Sequence, residues 1–273
     1  MQYKLAVLGH PISHSKSPWV HGEFAAQCGM DVDYQKIDVP LNDFKEMIAS
    51  LKKNLQGINI TLPFKEQAYQ LADKTSKSAQ AAKAANTFLF QEDGSIYADN
   101  TDGVGLVRDI TINLAYPLKD KRILLLGAGG AARGILFPLL ETDPQEIVLI
   151  NRTLEKAQLI FDNFGQPEKL KIGTPSDFAD QYFDVIIDAT SSWDGLPPLP
   201  EGIRLSHHSL CYDLKYGKDT LPFSPWAHDM KASIVSDGLG MLIEQAAVAF
   251  ELWTHKKPDT RPIILMAKSF FHL

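Results

Sequence analysis

ILLLGAGGAARG, residues 123–134, runs from four apolar residues through three glycines into an alanine-rich stretch. Ile123 to Leu126 make the pattern of a short buried strand, and the residues that follow the glycines have helical character. Gly127, Gly129 and Gly130 at the junction permit a tight turn and let backbone N–H groups approach a pyrophosphate, which a helix N-terminus then favours. The spacing is G-x-G-x-x-A, with Ala132 where a small residue lets helix and strand pack closely. Glycine-rich turns are common, so context gives the motif its weight. A strand precedes it, a helix follows, and a second strand, EIVLI at 146–150, ends at the expected distance. Where an NAD site places an Asp or Glu for the ribose, this chain has Asn151-Arg152-Thr153. Alone, Arg152 reads as an exposed arginine at a helix start. After this fingerprint it points to NADP, because a guanidinium holds a 2′-phosphate that a carboxylate would repel.

Bulk properties agree with a soluble enzyme. The 273 residues suffice for two domains, and 45% hydrophobic with 22% charged residues is ordinary for a globular chain. A net charge of −6 argues against nucleic acid or an anionic membrane as partner. No apolar run approaches a membrane span, and no signal peptide is visible, so a cytoplasmic location is expected. Cys28 and Cys211 lack C-x-x-C spacing and read as reduced thiols.

Outward from the glycine turn, the chain alternates strand-like and helix-like segments. Residues 3–9, 33–39 and 58–62 read as strands, and Leu41 to Asn54 as a helix capped by Asn42, with Phe44, Met47, Ile48 and Leu51 at helical spacing. TFLF (87–90), the turn QEDG and SIYA (95–98) read as a hairpin, and 103–115 as a helix. Further strands are expected near 170–172, 184–188, 209–214 and 232–235. An apolar helix runs from Gly240 to Trp253, broken by Pro258 and Pro262, with a last helix from Ile263 to Phe271. The β-α-β alternation predicts mainly parallel sheet.

Four short segments carry the remaining chemistry. In GHPISHSKSP, residues 9–18, Ser15 and Ser17 lie two apart, spaced to hold a carboxylate or vicinal hydroxyls, and equally suited to a polar loop that caps a helix with Pro18 at its first position. His10, His14 and His21 fit no zinc spacing, so no metal is expected. In NITLPFKE, residues 59–66, Thr61 follows a strand and Lys65 opens a helix, where a lysine is unfavourable against the dipole and wants another reason. A catalytic amine is one such reason; a solvated lysine is the plain alternative. Asn86 in AANTF and Asp102 in DNTDGVG end their segments, where a side chain can face a cleft, although Asn-Thr-Asp-Gly also spells a turn.

Taken in order, G-H-P-I-S-H-S-K-S-P, N-I-T-L-P-F-K-E, A-N-T, D-N-T-D-G, G-A-G-G-A-A-R-G, N-R-T and D-G-L-G-M-L-I-E-Q-A-A resemble the shikimate dehydrogenase family over essentially the whole chain. The resemblance implies an α/β fold of two domains: an N-terminal substrate domain with mainly parallel sheet, residues 1–102 plus 238–273, and a Rossmann-like NADP domain, residues 103–237. It implies reversible reduction of 3-dehydroshikimate to shikimate by NADPH in aromatic (chorismate) biosynthesis, with Lys65 and Asp102 as the acid/base pair. Ser15, Ser17, Thr61, Asn86 and Gln245 match substrate-contacting positions, with Tyr216 nearby. Gly127, Ala128, Gly129, Gly130, Ala131, Ala132, Asn151, Arg152, Thr153, Lys156, Thr190, Leu214 and Gly238 are the expected NADP contacts. Partners beyond the small substrate are not implied, and the family allows monomer or homodimer.

Several positions depart from the family pattern. KAA stands before Asn86 where G-A-V is usual, DATS at 188–191 where NATS is usual, and Leu214 where Met is common. Lys156 stands where a second phosphate-binding Arg is frequent, keeping charge but losing bidentate geometry. A quinate/shikimate dehydrogenase using NAD is the enzymatic alternative, opposed by Ser15, Ser17 and Arg152. A non-catalytic NADP or metabolite sensor is the alternative of another class, opposed by the intact Lys65/Asp102 pair. Crossings expected near Asp102-Gly103 and Asp237-Gly240 suggest hinge closure.

Overall fold

A computed structural model of the 273-residue chain describes residues 2–190, 195–217 and 222–271. The chain separates into two compact units, Met1–Gly105 with Leu242–Met266, and Leu106–Met241 with Ala267–Leu273. The changes of unit at 105/106 and 241/242 fall inside helices a few residues beyond the crossings expected near 102 and 237, and a third, not expected, falls at 266/267 inside the last helix.

In the first unit the order is β1 (Gln2–Gly9), α1 (Ser17–Cys28), β2 (Asp31–Asp38), α2 (Phe44–Leu51), β3 (Gly57–Ile60), α3 (Lys65–Leu71), β4 (Lys74–Thr75), α4 (Lys77–Ala82), β5 (Thr87–Phe90), β6 (Ile96–Asp99) and α5 (Asp102–Arg108). Its strands are ordered β2-β1-β3-β5-β6-β4. β1 pairs in parallel with β2 and β3, whereas β5 is antiparallel to both β3 and β6. The inner strand β3 is buried throughout, while β2, at the edge, keeps Gln35 and Lys36 in solvent.

The second unit carries β7 (Arg122–Leu126), α6 (Gly130–Glu141), β8 (Glu146–Ile150), α7 (Leu154–Asn163), β9 (Leu170–Gly173), β10 (Tyr182–Asp188), β11 (Arg204–Asp213), α8 (Phe223–Asp229) and β12 (Ile234–Ser236). Its strands run β12-β11-β10-β7-β8-β9, all paired in parallel. Alternate residues of the same strand enter different cores: Ile123, Leu125, Ile147, Leu149, Val185 and Ile187 on one face, Leu124, Leu126, Val148, Ile150 and Ile186 on the other. A sheet covered on both faces requires such continuous apolar runs, which is why these strands read so clearly in the sequence. Two last helices, α9 (Leu239–Thr254) and α10 (Thr260–Phe270), close the chain. No helix among the described residues is long and apolar enough to cross a membrane.

The structure corrects several expected boundaries. α2 begins at Phe44, not near Leu41, because Pro40 to Asp43 form a turn closed by Asp43 N donating to Pro40 O (3.0 Å), so Asn42 is no cap. α1 begins at Ser17, making Pro18 its second residue. Pro262 lies within the first turn of α10, where its missing N–H breaks no helical bond, so that helix starts at Thr260. The helix expected over 103–115 is α-helical only to Arg108 and widens into a π turn at Asp109–Asn113. There the buried Asp109 carboxylate accepts the Tyr212 hydroxyl (2.7 Å) and the Asn113 amide (3.0 Å), a local insertion of the kind that π turns accommodate.

Candidate active site

Lys65 is the first residue of α3, and Asp102 opens α5. Their side chains meet, with Lys65 Nζ 2.6 Å from Asp102 Oδ2. Asp102 is fixed on its other side by Asn86, whose Nδ2 donates to Oδ1 at 2.8 Å. Asn86 is held in turn: the Thr101 amide donates to its Oδ1 (2.9 Å), and its Nδ2 also lies within bonding distance of Thr101 Oγ1 (3.0 Å) and Gln245 Oε1 (3.4 Å). Strand pairing sets this up, since Ile60 N donates to Asn86 O (2.7 Å) and Asn86 N to Asp99 O (2.9 Å), pinning the residue between β3 and β6. Asn86, Thr101 and Asp102 are buried, whereas the Lys65 side chain keeps 23% of its surface. Buried polar groups so fully bonded are held in one arrangement, and the Lys65 side chain is its more exposed member.

Ser15 and Ser17 form a second polar group. Ser15 Oγ donates to Ser17 Oγ at 3.2 Å, and Ser17 N to Ser15 Oγ at 3.3 Å, so the loop turns both hydroxyls to one side. Residues not singled out in the sequence join this group to the first. The Tyr34 hydroxyl, itself bonded to Ser17, donates to Asn59 Oδ1 (2.7 Å); Asn59 Nδ2 donates to Thr87 Oγ1 (3.1 Å), and Thr87 Oγ1 to Asn86 Oδ1 (3.0 Å). Burial keeps the Tyr34 phenol protonated far above its usual range, although the Ser17 bond pulls the other way. The signal that could have found these residues is a polar residue inside an otherwise apolar strand: Asn59 in GINI and Thr87 in TFLF. Thr61 stands half-buried just beyond β3 with its amide on Leu8 O (2.9 Å).

His10, His14 and His21 go to separate places. His10 Nδ1 lies 2.8 Å from Asp38 Oδ1, His14 is exposed, and His21 is buried against Tyr34, Phe24 and Trp253. Burial pushes the His21 imidazole down to about 3, and its bond with Asn59 offsets only part of that.

In the second unit, Gly127 follows β7 at φ +99°, a conformation that a side chain would strain, and a Cβ there would lie 3.0 Å from Ala189 O. Gly129 precedes α6 and Gly130 opens it; both are exposed, with open space where a side chain would project. Ala128 N donates to Asn151 Oδ1 (3.1 Å), so Asn151 braces the glycine turn. Arg152, Thr153 and Lys156 lie exposed around the start of α7. A helix N-terminus behind a cradle of glycines and alanines, with cations at the next strand's end, fits a dinucleotide phosphate: Gly127 to Ala132 would take the pyrophosphate, and Arg152 and Lys156 a 2′-phosphate. Ala131 is exposed and Ala132 buried beneath them. Thr190, Leu214 and Gly238 follow β10, β11 and β12 at the C-terminal ends of these parallel strands. Tyr216 is half-buried beyond β11 and belongs to this second unit, apart in the chain from the Lys65 group.

Comparison with known proteins gives a consistent result. Residues 7–88 match the model of the shikimate dehydrogenase substrate binding domain, 110–196 that of shikimate / quinate 5-dehydrogenase, and 238–264 that of the shikimate 5′-dehydrogenase C-terminal domain. The chain is 48% identical to shikimate dehydrogenase (NADP(+)) of Methylobacillus flagellatus, over 96% of this chain and 97% of that one. It is 46% identical to the protein of the same name from Nitrosospira multiformis, over 97% and 96%. Among solved structures, it resembles shikimate 5-dehydrogenase of Thermus thermophilus in complex with NADP(H) and shikimate, with a TM-score of 0.84, 31% identity, and 98% and 99% of the two chains covered.

Proposed function

The chain belongs to the shikimate dehydrogenase family, and from that premise we propose that it catalyses the reversible, NADPH-dependent reduction of 3-dehydroshikimate to shikimate in aromatic biosynthesis, as a cytoplasmic monomer or homodimer. The observation that carries the reading is the Lys65–Asp102 pair at 2.6 Å, braced by Asn86 and only partly buried on the Lys65 side. Bound NADPH would supply the hydride. The substrate oxygen then gains alkoxide character and needs a proton, which the Lys65 ammonium donates; in the oxidative direction the same amine takes the proton back. Asp102 keeps that amine in place through Oδ2, and its fixed Oδ1–Asn86 contact prevents the carboxylate from rotating away. Ser15 and Ser17 supply hydroxyls for the substrate carboxylate, and Thr61, Asn86 and Gln245 orient the ring hydroxyls. In the second unit, Arg152 and Lys156 select the 2′-phosphate, and Gly127 to Ala132 hold the pyrophosphate.

The experiment is a four-way assay of the purified protein by nicotinamide absorbance, pairing shikimate or quinate with NADP⁺ or NAD⁺. Fastest turnover with shikimate and NADP⁺ is expected. Preference for quinate with NAD⁺ would replace this reading by that of a quinate dehydrogenase, and binding without turnover by that of a sensor.

A further inference from the structure

Asp188 and Asp213 end the neighbouring parallel strands β10 and β11 and stand opposite each other in register. Both are buried, at 2% and 0% exposure. Two carboxylates side by side in a protein interior repel each other, and something must offset that. The counter-charge is Lys215, two residues beyond β11, whose Nζ lies 2.8 Å from Asp188 Oδ2 and 3.0 Å from Asp213 Oδ1. Burial alone would lower the lysine, and the bonds and charges of Asp188 and Asp213 more than offset it, so it stays protonated. Burial raises Asp213 to about 6, in keeping with two acids sharing one base, and its Oδ2 has no hydrogen-bond partner among the described residues.

The remaining contacts of this cluster reach three backbone segments. Asp188 Oδ1 accepts from Thr190 N (2.9 Å) and Thr190 Oγ1 (2.5 Å), shaping the turn after β10. Asp213 Oδ1 accepts from Lys215 N (2.9 Å), which folds the chain back around Leu214. Lys215 O accepts from Gly238 N (2.8 Å), and Gly238 is so close that a Cβ would lie 2.1 Å from Leu214 O. One residue therefore ties together the ends of β10, β11 and β12, where Thr190, Leu214 and Gly238 stand.

We propose that Lys215 is a positioning residue for NADP: by neutralising Asp188 and Asp213 it holds the Thr190, Leu214 and Gly238 backbones in the arrangement that receives the nicotinamide half of the dinucleotide. The proposal rests on the reading of this unit as an NADP site. Removing the cation leaves two facing buried carboxylates, and the three strand ends move apart to admit water. Removing one carboxylate together with the cation takes that repulsion away.

The test is calorimetric binding of NADP⁺ to wild-type protein, Lys215→Met and the double variant Asp188→Asn/Lys215→Met, with folding checked by circular dichroism and with steady-state kinetics alongside. Lys215→Met should weaken NADP⁺ binding about tenfold, the scale that a small misplacement of binding groups produces, while KM for shikimate changes less than about twofold. The double variant should recover most of the affinity. Unchanged binding in Lys215→Met, or equal loss in both folded variants, overturns the proposal. Should Lys215→Met fail to fold, the double variant decides: near-wild-type affinity supports the role, and a tenfold loss contradicts it. Absence of NADP⁺ binding by the wild type would instead overturn the reading on which the proposal stands.

Discussion

In the first unit the candidate site is made of side chains already bonded to one another: Asn86, Thr101 and Asp102 are buried, and the Lys65 side chain keeps more of its surface than the Asp102 side chain it meets. In the second unit it is made of a backbone turn of glycines and alanines, and of Arg152 and Lys156 standing exposed beside it. The first is preorganised, so its residues act on the chemical step and on stability together. The second offers dipoles and exposed cations, so its residues act on affinity and cofactor choice. Proton transfer needs an atom fixed within a fraction of an ångström, while phosphate recognition tolerates flexible cations.

The largest expected effect is on the preorganised side. Asp102→Asn removes the charge that holds Lys65 and should lower kcat by about 10²–10⁴-fold with a small change in KM, the usual range for general acid–base catalysis. A variant that raises only KM would move Asp102 from chemistry to binding and blur the contrast. Next, Asn86→Ala strands the partners on both of its sides, the Thr101 amide and the Asp102 carboxylate among them. It should cost about 3 kcal/mol in denaturant unfolding as well as turnover, since buried groups left unpaired cost about 1–3 kcal/mol each. Normal stability would show that the network is looser than its bonds imply.

On the other side, Arg152→Ala should raise KM for NADP⁺ far more than for NAD⁺, by about 1.5–3 kcal/mol, the scale of a hydrogen bond to a charged group. Equal effects on both cofactors would make Arg152 structural. The smallest expected effect concerns the buried side of the first unit. The folded-state value of His21 is depressed from 6.5 to about 3, so its contribution is complete above 6.5 and is lost as pH falls toward 3, because the unfolded chain takes up a proton that the folded one refuses. Between pH 6.5 and about 5 that amounts to about 2 kcal/mol. His21→Gln should lose correspondingly less over the same interval in urea titrations; parallel losses would show that His21 protonates freely.

The two regions also differ in how well the sequence reveals them. Ile123 to Gly130 combine an apolar run, a glycine turn and a helix start in consecutive residues, and local physics suffices to read them. Lys65, Asn86 and Asp102 are far apart in the chain, and their meeting depends on the pairing of β3, β5 and β6. Each alone reads as a turn or a solvated residue, and only the order of the motifs draws them together. Tyr34 and Thr101 escape a sequence reading because a hydrogen-bond chain through a core has no sequence period, and Asn59 and Thr87 leave only the trace of a polar residue in an apolar strand. The Lys215 cluster escapes for the same reason, being a product of strand register between Asp188 and Asp213.

On the proposed reading, Lys65 moves the proton while the second unit holds the dinucleotide without it. The most direct measurement is turnover of Lys65→Ala at saturating shikimate and NADP⁺, made on protein shown by calorimetry to bind NADP⁺. A kcat lower by about 10²–10⁴-fold with NADP⁺ affinity retained is expected. A Lys65→Ala enzyme that turns over at nearly the wild-type rate would contradict it.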